Sequence, residues 1–220
     1  SVYDFDLYND PIFGDEVHDS LTALYKNAPD VFWTPRNGGH WVITRQAPIT
    51  EIVLDPEHFS VREMQIPRVP NPPLFIPLSL DPPDSIPYRQ ALMPKFSPKA
   101  ISVLNEKIRD WAKKFVHEVA DKGECDFTTD IAEPFPVSIF MELMGMDLSR
   151  LREFRDLSDW FFSVQNDPEQ LQASVGRIME VMTGYIEEKK SQPDDGLISH
   201  LLNVNIAGRP IELPELQNMC

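Results

Sequence analysis

Leu104, Ile108, Trp111, Phe115 and Val119 recur at spacings of three and four, with lysines and aspartates between them. This is one apolar stripe on a helix, and Gly123 ends it. Similar patterns predict helices over 136–145, 148–164, 168–190 and 197–202. The 168–190 helix opens on Asp167-Pro168, a cap followed by a proline at the first helical position. Shorter amphipathic helices fit 16–27 and 47–54. Val31-Phe32-Trp33-Thr34 and His40-Trp41-Val42-Ile43-Thr44 flank Arg36-Asn37-Gly38-Gly39, and β-rich runs around such a turn predict a hairpin. A small turn is predicted at Gly208. Pro214 begins a helix that Cys220 leaves without a capping glycine, so the chain reads as the front half of something longer.

Between these patterns lies a stretch with no period. Ten of the 21 prolines fall between Pro67 and Pro98. The segment predicts extended loop and turns, with one short helix after Pro83. It is also apolar at Leu74, Phe75, Ile76, Leu78 and Leu80, which argues against disorder and for a stiff wall over a cavity.

The chain has 220 residues, 42% of them hydrophobic, enough for one sizeable domain or two small ones. With 20 basic and 35 acidic residues its formal charge is −15. That balance disfavours nucleic acid and anionic membrane partners and favours solubility. A local basic cluster, Lys95, Lys99, Lys107, Arg109, Lys113 and Lys114, could still dock an acidic partner. No apolar run is long enough to span a membrane, and no signal peptide opens the chain. Cys125 and Cys220 form no metal-type pair, and a reducing cytoplasm is the simplest reading. Cys125, in Gly-Glu-Cys-Asp-Phe, reads as a packed thiol at the entry to a strand. His117-Glu118 lacks the second histidine of a zinc-protease helix, since position 121 is aspartate. No phosphate loop or nucleophile elbow is present.

The densest signal is Ser79-Leu80-Asp81-Pro82-Pro83-Asp84-Ser85-Ile86-Pro87-Tyr88-Arg89. A diproline turn fixes the entry to a helix, Asp84 or Ser85 can cap it, and Arg89 follows on a short lever. Its planar fork suits a carboxylate or phosphate. From these eleven residues alone, a surface salt bridge is the simplest role for Arg89. Three adjacent aromatics, Trp160-Phe161-Phe162, cannot all face one core, so at least one must point to a second surface.

This segment resembles the start of the C helix of bacterial cytochromes P450, in the camphor-hydroxylase-like subfamily. Further resemblances follow in order: Asn37-Gly38-Gly39-His40-Trp41 with Ile43-Thr44-Arg45, His58-Phe59-Ser60, Asp126-Phe127-Thr128 with Ala132-Glu133-Pro134-Phe135-Pro136, and Asn205-Ile206-Ala207-Gly208-Arg209-Pro210-Ile211. Each is short, and their shared order from Asp4-Phe5-Asp6 to Met219-Cys220 carries the likeness. The resemblance implies the N-terminal part of one cytochrome P450-like domain spanning 1–220, stopping before the long central helix. Its fold would be mainly α with a small β-rich N-terminal lobe at 1–60, a substrate-facing loop at 61–83 and a helical part at 84–220.

The same resemblance implies haem b, with Arg89 on a propionate and Ser85 near it, where relatives carry a longer histidine or glutamine. It places Pro73, Phe75, Ile76, Leu78 and Phe162 at the substrate. Pro73 falls near a tyrosine donor of the subfamily, so that polar handle would be missing. Phe75 and Ile76 fit a core as well as a pocket. The iron-ligating cysteine and the proton-delivering residues are expected beyond Cys220, so no catalytic or metal-ligating residue is assigned within this chain. The implied activity is hydroxylation of a small hydrophobic, terpenoid- or norisoprenoid-like substrate by O2, with electrons from a [2Fe-2S] ferredoxin, in the cytoplasm. The competing reading is a non-catalytic helical module that binds a small apolar ligand.

Overall fold

The computed structural model describes all residues except 15, 71, 73, 165 and 166. Their contacts divide into two compact units, one of Ser1–Leu74 with Leu78–Ser85, the other of Phe75–Pro77 with Ile86–Cys220.

The first unit contains helix α1 (Val17–Asn27), strands β1 (Val31–Thr34) and β2 (His40–Ile43), and helix α2 (Gln46–Val53). The strands pair antiparallel, Phe32 opposite Val42 and Trp33 opposite Trp41. The predicted turn joins them, and Asn37, Gly38 and Gly39 all have positive φ. Gly39 must be glycine for a second reason, because a Cβ there would lie 2.6 Å from the Trp33 ring. The period-2 alternation of β1 sends Phe32 and Thr34 inward. Phe32 packs with Phe5, Leu24 and Ala28. Thr34 is fully buried, and its hydroxyl donates to the Phe5 carbonyl at 2.7 Å, so the N-terminal segment is tied to the hairpin.

Residues 54–85 contain no helix or strand among those described, as the prolines predict. Carboxylates organise the segment instead. Asp81 accepts from Ser60 Oγ at 2.7 Å and from the Val61 amide at 2.9 Å. Arg62 reaches Asp81 at 3.2 Å and Asp84 at 3.3 Å. These donors, the Val61 amide foremost, hold the Asp81 carboxyl below the usual range.

The second unit is a helical assembly: α3 (Ile86–Leu92), α4 (Pro98–Ala120), α5 (Pro134–Met144), α6 (Leu151–Ser163), α7 (Pro168–Ser191), α8 (Leu197–Leu202) and α9 (Leu213–Met219). A short hairpin, β3 (Asn205–Ile206) with β4 (Arg209–Pro210), precedes α9 and turns through Ala207 and Gly208, both at positive φ. The apolar stripe of α4 faces its neighbours, and Phe115 is its buried residue. Asp167 caps α7 by accepting from the Glu169 and Gln170 amides at 3.1 Å. Val181, Met182, Tyr185 and Ile186 of α7 meet Met141 and Met144 of α5 and Leu197, Ile198 and Leu201 of α8 in one core.

Two boundaries and one environment differ from the sequence reading. α5 starts at Pro134 rather than 136, because proline is tolerated in a first helical turn. α6 starts at Leu151, after a 3-10 turn (Leu148–Arg150) in which Asp147 accepts from the Ser149 amide at 2.9 Å. α3 begins at Ile86, after Pro83 and directly after Ser85 as the sequence predicts, while Asp84 pairs with Arg62. Cys125 is exposed and precedes a π-helical turn (Thr128–Ala132), so it is neither packed nor at a strand.

Candidate functional site

α3 is seven residues long, about two turns, and too short to be stable alone. Tertiary contacts therefore decide its orientation. Ala91 is buried, and Tyr88 and Leu92 pack against the same core. These three positions share one face at about 100° per residue. Arg89 lies off that face and is exposed. It has no ion pair or hydrogen bond among the described residues. Arg109 and Arg152 are likewise exposed and without an ion pair among the described residues, and Arg89 differs from them in sitting on a two-turn helix whose other face is buried.

The remaining predicted residues fall in both units. Ile76 is buried, and its backbone N–H donates to the Asn218 carbonyl at 2.9 Å. Phe75 beside it is half-buried. Phe162 is 69% exposed at the end of α6, while Trp160 and Phe161 are half-buried, so Phe162 is the aromatic that faces away from the core. In the first unit, Leu78 is 60% exposed and Ser85 is buried, its amide donating to the Asp81 carbonyl at 3.1 Å. Pro73 lies outside the described residues.

A cavity of about 380 Å³ opens between α5, α6 and α7. Val137, Phe140, Phe154, Leu157, Met182 and Cys220 line it. None of the predicted site residues does. Burial pushes the Cys220 thiol up to about 12, so it stays neutral near pH 7. Among the described residues, no group of three or more His, Cys, Asp or Glu could hold a metal ion. The unpaired guanidinium of Arg89 is a donor of the kind that a carboxylate such as a haem propionate takes.

Sequence reasoning missed the residues that hold α3. Tyr88 donates its hydroxyl to Glu215. Glu215 is also forked by Arg209, at 2.7 Å to Oε2. His200 Nε2 lies 2.9 Å from the Ala91 carbonyl. Arg209 is the main cause that lowers the Glu215 carboxyl to about 2. The one sequence signal for these residues is the spacing of Glu212 and Glu215, which form a reciprocal capping box at the start of α9.

No family model matches the chain. Among curated proteins, it is 25% identical to linalool 8-monooxygenase of Pseudomonas putida over 94% of its own length and 56% of that protein. It is 26% identical to steroid C26-monooxygenase of Rhodococcus jostii, over 96% of its own length and 49% of that protein. Among solved structures, CYP101J2 superposes with a TM-score of 0.83 and 31% identity, covering 99% of this chain and 55% of the other. Cytochrome P450 CYP101C1 superposes with a TM-score of 0.81 and 27% identity, covering 100% and 55%. The chain spans about half the length of the relatives it matches. Sequence similarity along nearly the whole chain and a shared helical fold agree: the chain resembles about half of a cytochrome P450 in both sequence and structure.

Proposed function

We propose that the whole protein is a haem-thiolate monooxygenase that hydroxylates a small hydrophobic, terpenoid- or norisoprenoid-like substrate. O2 and electrons from a [2Fe-2S] ferredoxin are the co-reactants. Haem supplies the oxygen-activating chemistry when bound, and its thiolate ligand comes from residues outside this chain. The observation that carries the reading within the chain is the exposed, unpaired Arg89 on a helix whose other face is buried. Its fork suits a haem propionate, where a charge-assisted pair both retains the cofactor and offsets its negative rim.

The other assignments rest on the resemblance to cytochromes P450. Phe75, Ile76, Leu78 and Phe162, with Pro73, contribute an apolar boundary that excludes water and holds the substrate by shape. Ser85 reaches the propionate through water, because its side chain is short. On α4, Lys99, Arg109 and Lys113 carry no ion pair among the described residues, and they supply local positive charge for an acidic ferredoxin despite the net charge of −15. The compact apolar cavity between α5, α6 and α7 is the observation favouring the second reading, a non-catalytic module for a small apolar ligand.

The absorption spectrum of the reduced protein under carbon monoxide tests the choice. A long-wavelength Soret band of thiolate-bound haem supports the oxygenase, and its absence leaves the ligand-binding module. In the haem-loaded protein, Arg89→Ala is expected to speed haem loss about tenfold and to slow reduction by ferredoxin. Unchanged values for both remove the role assigned to Arg89.

A further inference from the structure

We propose that Tyr88, Glu215, Arg209 and His200 form a latch that fixes the rotation of α3 and so aims Arg89. The inference rests on the reading of Arg89 as a propionate ligand. A two-turn helix gains little orientation from its own hydrogen bonds, and the apolar contacts of Tyr88, Ala91 and Leu92 allow some roll. Polar tethers at both ends remove that freedom.

At one end Glu215 has every acceptor direction occupied. Oε1 takes the Tyr88 hydroxyl and Arg209 Nη2, while Oε2 takes Arg209 Nη1 at 2.7 Å and the Glu212 amide at 2.8 Å. The Glu212 bond anchors the carboxylate to the first turn of α9, and the β3–β4 hairpin delivers Arg209. Tyr88 is thus held by a group that is itself fixed from two directions. At the other end the Ala91 carbonyl can accept but not donate, so His200 Nε2 carries the proton and donates to it. Tyr88 and Ala91 are three residues apart, nearly one turn, so the two tethers pin one edge of α3 at two heights. Arg89 is adjacent to Tyr88 and about 100° around the helix. Rotation of α3 by even a fraction of that angle would swing the long Arg89 side chain through several ångströms. Bidentate pairing has narrow geometric tolerance, so pre-aiming matters.

Tyr88, Glu215, Arg209 and His200 are positioning residues in this account. Tyr88→Phe removes a hydroxyl and keeps the ring that packs on the core. Glu215→Gln keeps the shape and removes the charge. Each is made in the haem-loaded protein with Arg89 present and with Arg89→Ala. Haem transfer to excess apomyoglobin and the midpoint potential are then measured, with the thermal midpoint alongside. With Arg89 present, each latch variant should speed haem transfer roughly threefold to tenfold and move the potential in the negative direction, the direction also expected of Arg89→Ala. In the Arg89→Ala background the same changes should add little, because the latch acts through Arg89. Equal effects in both backgrounds, or none in either while Arg89→Ala acts, overturn the latch and leave the propionate reading standing. No effect from Arg89→Ala itself overturns the propionate reading and the latch with it.

Discussion

The core of the first unit consists of four buried side chains, Phe5, Leu24, Ala28 and Phe32, beside a long segment organised by carboxylates such as Asp81. In the second unit, thirteen buried residues from α3, α5, α7, α8, β3, α9 and the turn at Met146 form one continuous cluster. One unit depends on few apolar contacts and many exposed polar ones, and the other on packed helix faces. Exposed ion pairs contribute little each, whereas apolar burial accumulates with area. The first unit should therefore fail at single positions, and the second should absorb most single changes.

The largest expected effect tests that asymmetry. Phe32→Ala empties the centre of the small core and should cost about 3–5 kcal/mol. Hydrogen exchange should show lost amide protection across residues 1–54, with the second unit retaining its own. Uniform loss across both units would break the distinction. A smaller effect is expected at Gly145, whose φ is +79° and where a Cβ would lie 2.6 Å from Asp194 Oδ2. Gly145→Ala should cost about 2 kcal/mol by thermal denaturation, against about 1 kcal/mol for Gly123→Ala, where φ is +74° but nothing lies within 4 Å. Equal costs would mean that the Asp194 contact gives way freely.

The smallest effect is on acidification. The Glu215 carboxyl titrates near 2 in the fold and at its ordinary 4.5 when unfolded. The unfolded chain takes up the proton first. The contribution of this carboxylate is therefore complete above about pH 4.5 and is lost as pH falls toward 2. In Glu215→Gln the acid transition should lose that part of its steepness, and an unchanged transition would show that Arg209 contributes nothing there.

Legibility followed the range of the interaction. The α4 stripe, the Asp167-Pro168 cap of α7, the bounds of α8 and the turn at Ala207-Gly208 were all readable, because each is decided within about one or two helical turns or one hairpin. The boundaries at Pro134 and Leu151 were not, since a first-turn proline and a 3-10 lead-in depend on how the ends are packed. Cys125 was misread as packed because a small apolar residue beside Phe127 carries no local sign of exposure. The candidate site divides in the same way. Arg89 was legible as a fork on a short helix, and Phe162 as the aromatic left without a core.

The sequence by itself determined the periodic elements, the proline-rich interruption, the family resemblance and the identity of Arg89, because local sterics, capping and hydrophobic period are written in neighbouring residues. Only the tertiary structure decided that Tyr88 meets Glu215 across 127 positions, that His200 meets Ala91 across 109, and that a cavity opens among α5, α6 and α7. Those partners are chosen by how helices pack in three dimensions, and no one-dimensional pattern encodes which of many carboxylates a tyrosine will reach.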